Sequence, residues 1–491
     1  MGRYAMSSGL ELHVERGRIR AILPSDNGLT IRTEHQTFTY PKAVVYPGFV
    51  DAHVHLLGLG KRLTTPSLYD ANSEDECVAL LQRAPVPANG WLQAMGWNQE
   101  NWDVPDLPTM QSITAAFPRI PVVCTRVDGH AMWLNAEALR MAGITHPTGV
   151  LVDGEMDAVV HAIPSTSREE IEQQLVVASR AFARAGVTEV HDMDVAPATV
   201  GVTRELAESA RLAVRVQSFV SAQNDEWVNA HMLPAGGERQ RTVGVKMYAD
   251  GALGSRGAAL ISNYEDTPHR GSVLLTVEQM EHKVLQAVQA GWWSIAIHAI
   301  GDAAVRNVLD AYERVREHPD GSDVILRIEH AQHVNSADVH RFSKLNVIAS
   351  VQPTHAESDA QMAKSRLGEQ RLQDAYRWKS LLDSGAQICF GTDAPIESES
   401  VLRTIDVAIN GYAIPVQEHQ TSECVSLEQA IDSVTSSAHA SVGVDFRRGS
   451  LAIGMDADLV VFDRALPEAA NGNPREVKVL ATFTAGVLNT I

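Results

Sequence analysis

The stretch Pro47-Gly48-Phe49-Val50-Asp51-Ala52-His53-Val54-His55 closes an apolar run that begins at Val44, and its reading decides the fold. Along a strand, successive side chains point to opposite faces, so His53 and His55 share one face while Val54 turns into packing. Two imidazoles on one face can ligate one metal ion. If the strand belongs to a parallel β/α barrel, the pair sits at its C-terminal end, where such barrels build their active sites. Alone, the pair reads equally well as two incidental polar residues on a strand, so the rest of the chain has to decide.

Working outward, the middle of the chain alternates strand-like runs with amphipathic helical stretches, the pattern of βα units and a parallel sheet. The strand candidates are Val44 to Val50, Val187 to His191, Ala213 to Val220, Val243 to Ala249, Ser294 to Ala299, Leu326 to His330, Val347 to Thr354 and Gln387 to Thr392. Helical spacing fills most intervals, as in Arg168 to Ala185 with Ile171, Leu175, Ala178 and Phe182. Further helical stretches are Val277 to Ala290, Asp302 to Arg316, Asp374 to Ser384 and Leu427 to Ala440. This strand count closes a TIM-type (β/α)8 barrel, expected over 46–444.

Both ends have a different texture. Leu10 to Val14 and Ile19 to Leu23 alternate around the turn at Glu15-Arg16-Gly17-Arg18, and short strands follow at Leu29 to Thr33 and Thr37 to Tyr40. The C-terminal Ala457-Asp458-Leu459-Val460-Val461-Phe462-Asp463 and Val477 to Thr484 repeat it. The two ends, 1–45 and 445–491, are expected to form one small β-sandwich domain. Between His55 and Arg168 lie too many residues for a βα loop, so 62–165 reads as an insertion after barrel strand 1, covering the active-site mouth. It carries Trp91, Trp97, Trp102 and Trp133, half of the eight tryptophans. They pack a small core of their own, with at least one, Trp97, expected to line a substrate pocket.

Composition narrows the class. The chain has 491 residues, 45% apolar and 21% charged, as expected of a globular enzyme with an accessory domain. Acidic residues outnumber basic ones 60 to 41, a formal charge of -19 that disfavours nucleic acid as a partner. Cys77, Cys124, Cys389 and Cys424 are scattered without a CxxC pair, and the first twenty residues hold no apolar core of a signal peptide. No run approaches ~18 apolar residues, so a cytoplasmic protein without a membrane partner is expected. The expected partner is a small-molecule substrate, and a homodimer is left open.

Four more strand ends carry chemistry. Lys246 lies inside the apolar run Val243 to Tyr248, where a lysine is costly unless paired or chemically changed, and Asp250 follows on the same face. Ile295-Ala296-Ile297-His298, Arg327-Ile328-Glu329-His330 and Cys389-Phe390-Gly391-Thr392-Asp393 end strands five, six and eight. Each alone has a dull explanation in a satisfied core histidine or a turn aspartate. Jointly they would converge on one barrel mouth.

That set resembles the amidohydrolase superfamily. PGFVDAHVHL, KMYADGALGSRGAAL from Lys246, RVDGHAMWLNAEAL from Arg126, SVQPTH from Ser350 and GSLAIGMDADLVVFD from Gly449 resemble its amidohydrolase 3 branch, which contains N-substituted formamide deformylases. The resemblance implies a divalent metal, zinc by preference, one or two per chain. His53, His55 and Asp393 would hold one ion, His298 and His330 a second, and Lys246 would bridge them as a CO2-derived carbamate. It further implies attack of metal-bound hydroxide on a non-peptide amide or formamide. Asp393 would serve as proton acceptor and donor, His130 would polarise the carbonyl, and Gln352 and His355 would contact substrate. Asp250 would orient Lys246 from behind.

Three other readings remain open. A mononuclear deaminase on this fold carries a glutamate three residues after the strand-five histidine, whereas His298 is followed by Ala299, Ile300 and Gly301. A lactone or phosphotriester hydrolase shares the binuclear ligand set. A non-catalytic scaffold would be expected to lose ligands, and all these positions are filled.

Overall fold

The computed structural model describes residues 5–6, 9–86, 89–127, 131–223, 225–411, 423–444, 447–468 and 472–489. Strands β1 (Leu10–Glu15), β2 (Arg18–Pro24), β3 (Leu29–Arg32) and β4 (Thr37–Tyr40) form one sheet in the order β2-β1-β3-β4. Next come β5 (Val44–Pro47) and β6 (Phe49–Val54). The run expected as a single barrel strand from Val44 to Val50 is therefore two strands. Pro47 and Gly48 divide it: a Cβ on Gly48 would lie 2.3 Å from the Thr188 side chain, so the chain can cross here only without one. β5 joins the terminal sheet, which moves that domain's edge from 45 to 47, and β6 alone enters the barrel.

The chain then leaves for a compact unit spanning Leu57–Ala178, longer at both ends than the 62–165 expected. Here β7 (Leu92–Trp97), β8 (Val122–Arg126), β9 (Ala131–Leu134) and β10 (Val150–Val152) form a mixed sheet in the order β10-β9-β8-β7. All four tryptophans are buried in this unit's two apolar cores, Trp91 in one and Trp97, Trp102 and Trp133 in the other. Trp97 is fully buried and its indole N–H donates to the Cys124 carbonyl at 2.8 Å. That is a packing environment rather than the ligand-lining one expected, because both the ring and its polar handle are already committed.

The barrel resumes with β11 (Val187–Val195), β12 (Arg215–Ser221), β13 (Gln240–Tyr248), β14 (Ser294–Ala299), β15 (Ile325–His330), β16 (Val347–Val351) and β17 (Ile388–Phe390). With β6 these make an eight-stranded parallel sheet in the order β17-β16-β15-β14-β13-β12-β11-β6. Helices follow most strands. The helix Val277–Gln289 starts on a capping box in which the Thr276 hydroxyl accepts from the Gln279 N–H and Gln279 reaches back to Thr276 N–H. The expected helix Asp374 to Ser384 is regular only over Trp378–Asp383, and Leu427 to Ala440 breaks into Leu427–Ser433 and Ser436–Ala440.

First and last strands meet just beyond β17. His55 N–H donates to Ala394 O and Asp393 N–H to His53 O, each at 2.8 Å. Gly391 permits this approach, since a Cβ there would stand 2.5 Å from His53 N. Asp51 fastens the seam: its carboxylate accepts the Thr392 N–H at 2.9 Å and the Thr392 hydroxyl at 2.6 Å.

After the barrel, β18 (Leu459–Phe462), β19 (Val479–Thr484) and β20 (Val487–Asn489) complete the second terminal sheet, order β20-β19-β18-β5. Leu12, Ile19 and Ile31 of the first sheet share one core with Val45, Leu459, Val461 and Phe483 of the second, which is the expected sandwich. Among the described residues no helix is long and apolar enough to cross a membrane.

Candidate active site

Alternation along β6 sends Asp51 and His53 inward and Val50 and Ala52 outward, where the latter pack with Ala438. The imidazole tautomers follow from the partners. Glu329 Oε2 and the Met193 carbonyl can only accept, so His53 Nδ1–H donates to the first at 2.6 Å and His55 Nδ1–H to the second at 3.2 Å. Both histidines therefore turn Nε2 to the barrel mouth. There the nitrogens stand 3.5 and 3.3 Å from Asp393 Oδ1. Three electron-rich atoms this close call for a cation between them.

The other expected ligands surround this trio. The His53 and His330 rings are 4.8 Å apart and those of His330 and His298 4.5 Å. His53 Nε2, His298 Nε2, His330 Nδ1 and Asp393 Oδ1 are all buried without a hydrogen-bond partner. Orphaned polar atoms are rare in native interiors, and His53, His330 and Asp393 belong to groups of metal-ligand geometry, whereas His298 Nε2 stands 3.6 Å from Asp250 Oδ1. Lys246, His55, His298, His330, His355 and Asp393 open onto one cavity of about 370 Å³. Lys246 Nζ lies 4.8 Å from the Tyr248 ring centre.

Electrostatics prepares the nitrogens for a metal. Burial, reinforced by Lys246, pulls His53 down to about 4 and His298 to about 3, and burial with His298 holds His330 well below the usual histidine range. Neutral imidazole is the ligating form. Burial would raise the Asp393 carboxyl, but the His355 contact at Oδ2 and the neighbouring imidazoles override it and hold it well below the usual carboxylate range. His330 and Asp393 both have left-handed backbone, φ 73° and 59°, strained conformations of the kind that cluster at functional sites.

Several expectations change. His355, read as a substrate contact, stands with Nε2 3.1 Å from Asp393 Oδ2 and Nδ1 3.4 Å from Glu397, and with His330 and Asp393 it makes a second three-residue group of metal-ligand geometry. Asp250 does not reach for Lys246; it accepts backbone N–H groups from Ala259, Ile300 and Gly301 at 2.8 to 3.0 Å, tying the loop after β13 to the end of β14. Gln352 is buried at the end of β16, donating to Ser350 O at 3.1 Å. His130 lies outside the described residues.

Two inward residues escaped the sequence reading. Glu329 orients His53 and is itself held by Arg327, which also reaches Ala52 O, Ser350, Ser441 and His191. The alternation Arg327-Ile328-Glu329 marks both as facing the barrel interior, but the histidine that follows them is the stronger metal-ligand signal.

The amidohydrolase family model matches residues 43–488. The chain belongs to the amidohydrolase family. A putative amidohydrolase, YtcJ of Bacillus subtilis, is 30% identical over 85% of this chain and 84% of its own. The N-substituted formamide deformylase of Arthrobacter pascens is 25% identical over 90% of this chain and 88% of its own. An uncharacterised metal-dependent hydrolase of Pyrococcus horikoshii superposes with a TM-score of 0.78 at 25% identity, covering 93% of this chain and 98% of that one. With the ligand cluster, that membership makes this amidohydrolase a metal-dependent hydrolase.

Proposed function

We propose that the protein hydrolyses the carbon–nitrogen bond of a small N-substituted amide, formamides included, rather than a peptide. The observation that carries this reading is the convergence of His53, His55 and His330 on Asp393, whose Oδ1 has no hydrogen-bond partner, with His298 lining the same cavity. These residues would hold one or two divalent ions, zinc first, since imidazole and carboxylate suit it. Such an ion polarises a carbonyl and makes a water acidic enough to lose its proton near neutral pH.

The chain's own groups supply the rest. Asp393 Oδ1 takes the proton of the attacking water and returns it to the amide nitrogen as the C–N bond breaks, so the carboxylate ends as it began. The His355 contact at Oδ2 fixes the direction in which Oδ1 faces. Lys246 enters as a carbamate: its neutral amine nitrogen bonds to the carbon of CO2, one proton leaves to solvent, and a single negative charge is shared by two new oxygens. Burial lowers the Lys246 pKa, which favours the neutral amine that this addition requires.

The walls of the cavity favour an apolar substituent, since Ala252, Leu253, Ile300, Met362 and Ile396 line it. Deamination finds less support: Gly301 occupies the place of the shuttle glutamate, and its N–H donates to Asp250 at 2.9 Å. The test is amine release from N-alkyl and N-aryl formamides and acetamides by protein loaded with zinc and bicarbonate. Turnover is expected, falling on the order of 10³-fold in Asp393→Asn. Amine release from none of these amides, or undiminished release by the variant, would overturn the reading.

A further inference from the structure

The motif running from Lys246 to Leu260 does more than supply a lysine. Beyond Asp250 the chain folds back on itself: Gly251 N–H donates to Gly257 O, Gly257 and Ala258 N–H to Ala252 O, and Arg256 N–H to Leu253 O, at 2.9 to 3.2 Å. Gly251 and Gly257 lie so close that a Cβ on either would stand 3.2 Å from the other's Cα. The compact turn that results presents Leu253 and Gly254 to the active-site cavity, and Met362 of the helix Ala360–Arg371 faces the same space. A Cβ on Gly254 would come within 3.6 Å of Met362 Cε, so the width of the wall here is set by what those two positions carry.

The turn is fastened at both ends. At its root is the Asp250 carboxylate with its three backbone N–H donors. At its tip the Gly254 carbonyl accepts Arg366 Nε and Nη2, each at 3.3 Å. Arg366 also meets the Asp266 carboxylate, which Arg256 grips with two parallel bonds of 3.1 and 2.9 Å. Asp266 thus joins the turn that carries Leu253 to the helix that carries Met362. Bidentate arginine–carboxylate geometry gives such a joint direction as well as strength.

We propose that Leu253, Gly254 and Met362 are the specificity-determining wall of the active site, and that Asp266 is a positioning residue that holds the wall at fixed width through Arg256 and Arg366. The inference rests on the cavity being the substrate site, as the hydrolase reading requires, but not on which bond is cleaved. The wall therefore discriminates by the bulk of the group next to the scissile bond.

The test reads binding as well as turnover. Zinc-loaded protein is titrated calorimetrically with acetohydroxamic, hexanohydroxamic and benzohydroxamic acids, whose common head group chelates metal while the tail varies. Gly254→Val is expected to lower the affinity ratio of benzohydroxamate to acetohydroxamate about tenfold and Met362→Ala to raise it, the scale of a few methylenes in an apolar pocket. Asp266→Ala, which leaves the cavity surface intact, is expected to flatten the ratio towards one while zinc content stays unchanged. Equal losses for all three tails, an unchanged ratio in all three variants, or no binding of any hydroxamate by the parent would overturn the proposal. If tail discrimination shifts as expected while no amide is hydrolysed, the amide reading fails and the wall stands.

Discussion

Two buried clusters of acids and imidazoles occupy this barrel, and they differ in where the positive charge comes from. At the barrel mouth His53, His55 and His330 gather on Asp393, His298 and Lys246 line the same cavity, and four of the polar atoms are uncommitted. Towards the terminal sandwich Glu189 accepts Arg448 at 2.6 Å and His439 at 3.2 Å, Asp456 accepts Arg448 at 3.0 Å, and Asp458 accepts Arg215 at 3.0 Å. The lower cluster has its cations built in as guanidinium groups, although His191 and His439 each keep one nitrogen without a partner. The upper one has a donor set that fits a metal ion. Burial and charge are common to both, so the difference that marks a site is a shared deficit of positive charge with convergent lone pairs.

The sharpest way to break this comparison is to remove an acid from the saturated cluster. Glu189→Ala takes one carboxylate from the buried Arg448, which keeps Asp456, and the acceptor from His439, and a loss of about 3 kcal/mol in denaturant unfolding is expected. Metal bound per folded chain should not change. A loss of metal at unchanged stability would mean that the two clusters had been assigned the wrong way round.

A smaller effect belongs to the link that reaches the metal ligands. Glu329→Gln keeps an acceptor for His53 Nδ1–H but removes its charge, and metal affinity in a chelator competition should fall about 10–100-fold. An unchanged affinity would reduce Glu329 to a packing residue.

The smallest effect separates an uncommitted nitrogen from a site. His333 is buried with neither ring nitrogen partnered, and it packs against the Tyr376 ring 5.8 Å away rather than against an acid. Burial, with Arg371 adding to it, lowers its pKa to about 3. Between its unfolded value near 6.5 and that figure the unfolded chain binds the extra proton, so stability falls as pH drops through this window. One such group contributes a slope of about 1 kcal/mol per pH unit, which His333→Phe should remove from urea midpoints measured between pH 4 and 6. An identical pH profile in the variant would contradict the neutral, buried imidazole.

How far the sequence carried these regions follows from the range of the contacts involved. The paired histidines, the lysine and the aspartate each end a strand, and period-two alternation within a few residues was enough to aim them at one mouth. The break at Pro47-Gly48 was hidden because both of its flanks are apolar and no local period changes there. Asp51 could not be read as a seam, since its partner Thr392 is 341 residues away and meets it only when the barrel closes. The contacts of His355 with Asp393 and Glu397 were hidden for a related reason: it lies on the helix Pro353–Ser358, whose course over the strand ends no pattern in SVQPTH discloses. Asp250 looked like a partner for Lys246 by strand face, but the chain leaves β13 after Tyr248 and takes its carboxylate to the backbone of Ile300 and Gly301.

The central claim is that the ligands at the mouth of the barrel hold metal, with Lys246 as a bridge. The most direct measurement is metal content per chain by elemental analysis, on protein purified with zinc and bicarbonate, for the parent and for Lys246→Ala. Two equivalents in the parent, falling to one or fewer in the variant, is the expected result. One equivalent in both would contradict the lysine bridge, and none in either would contradict the metal centre itself.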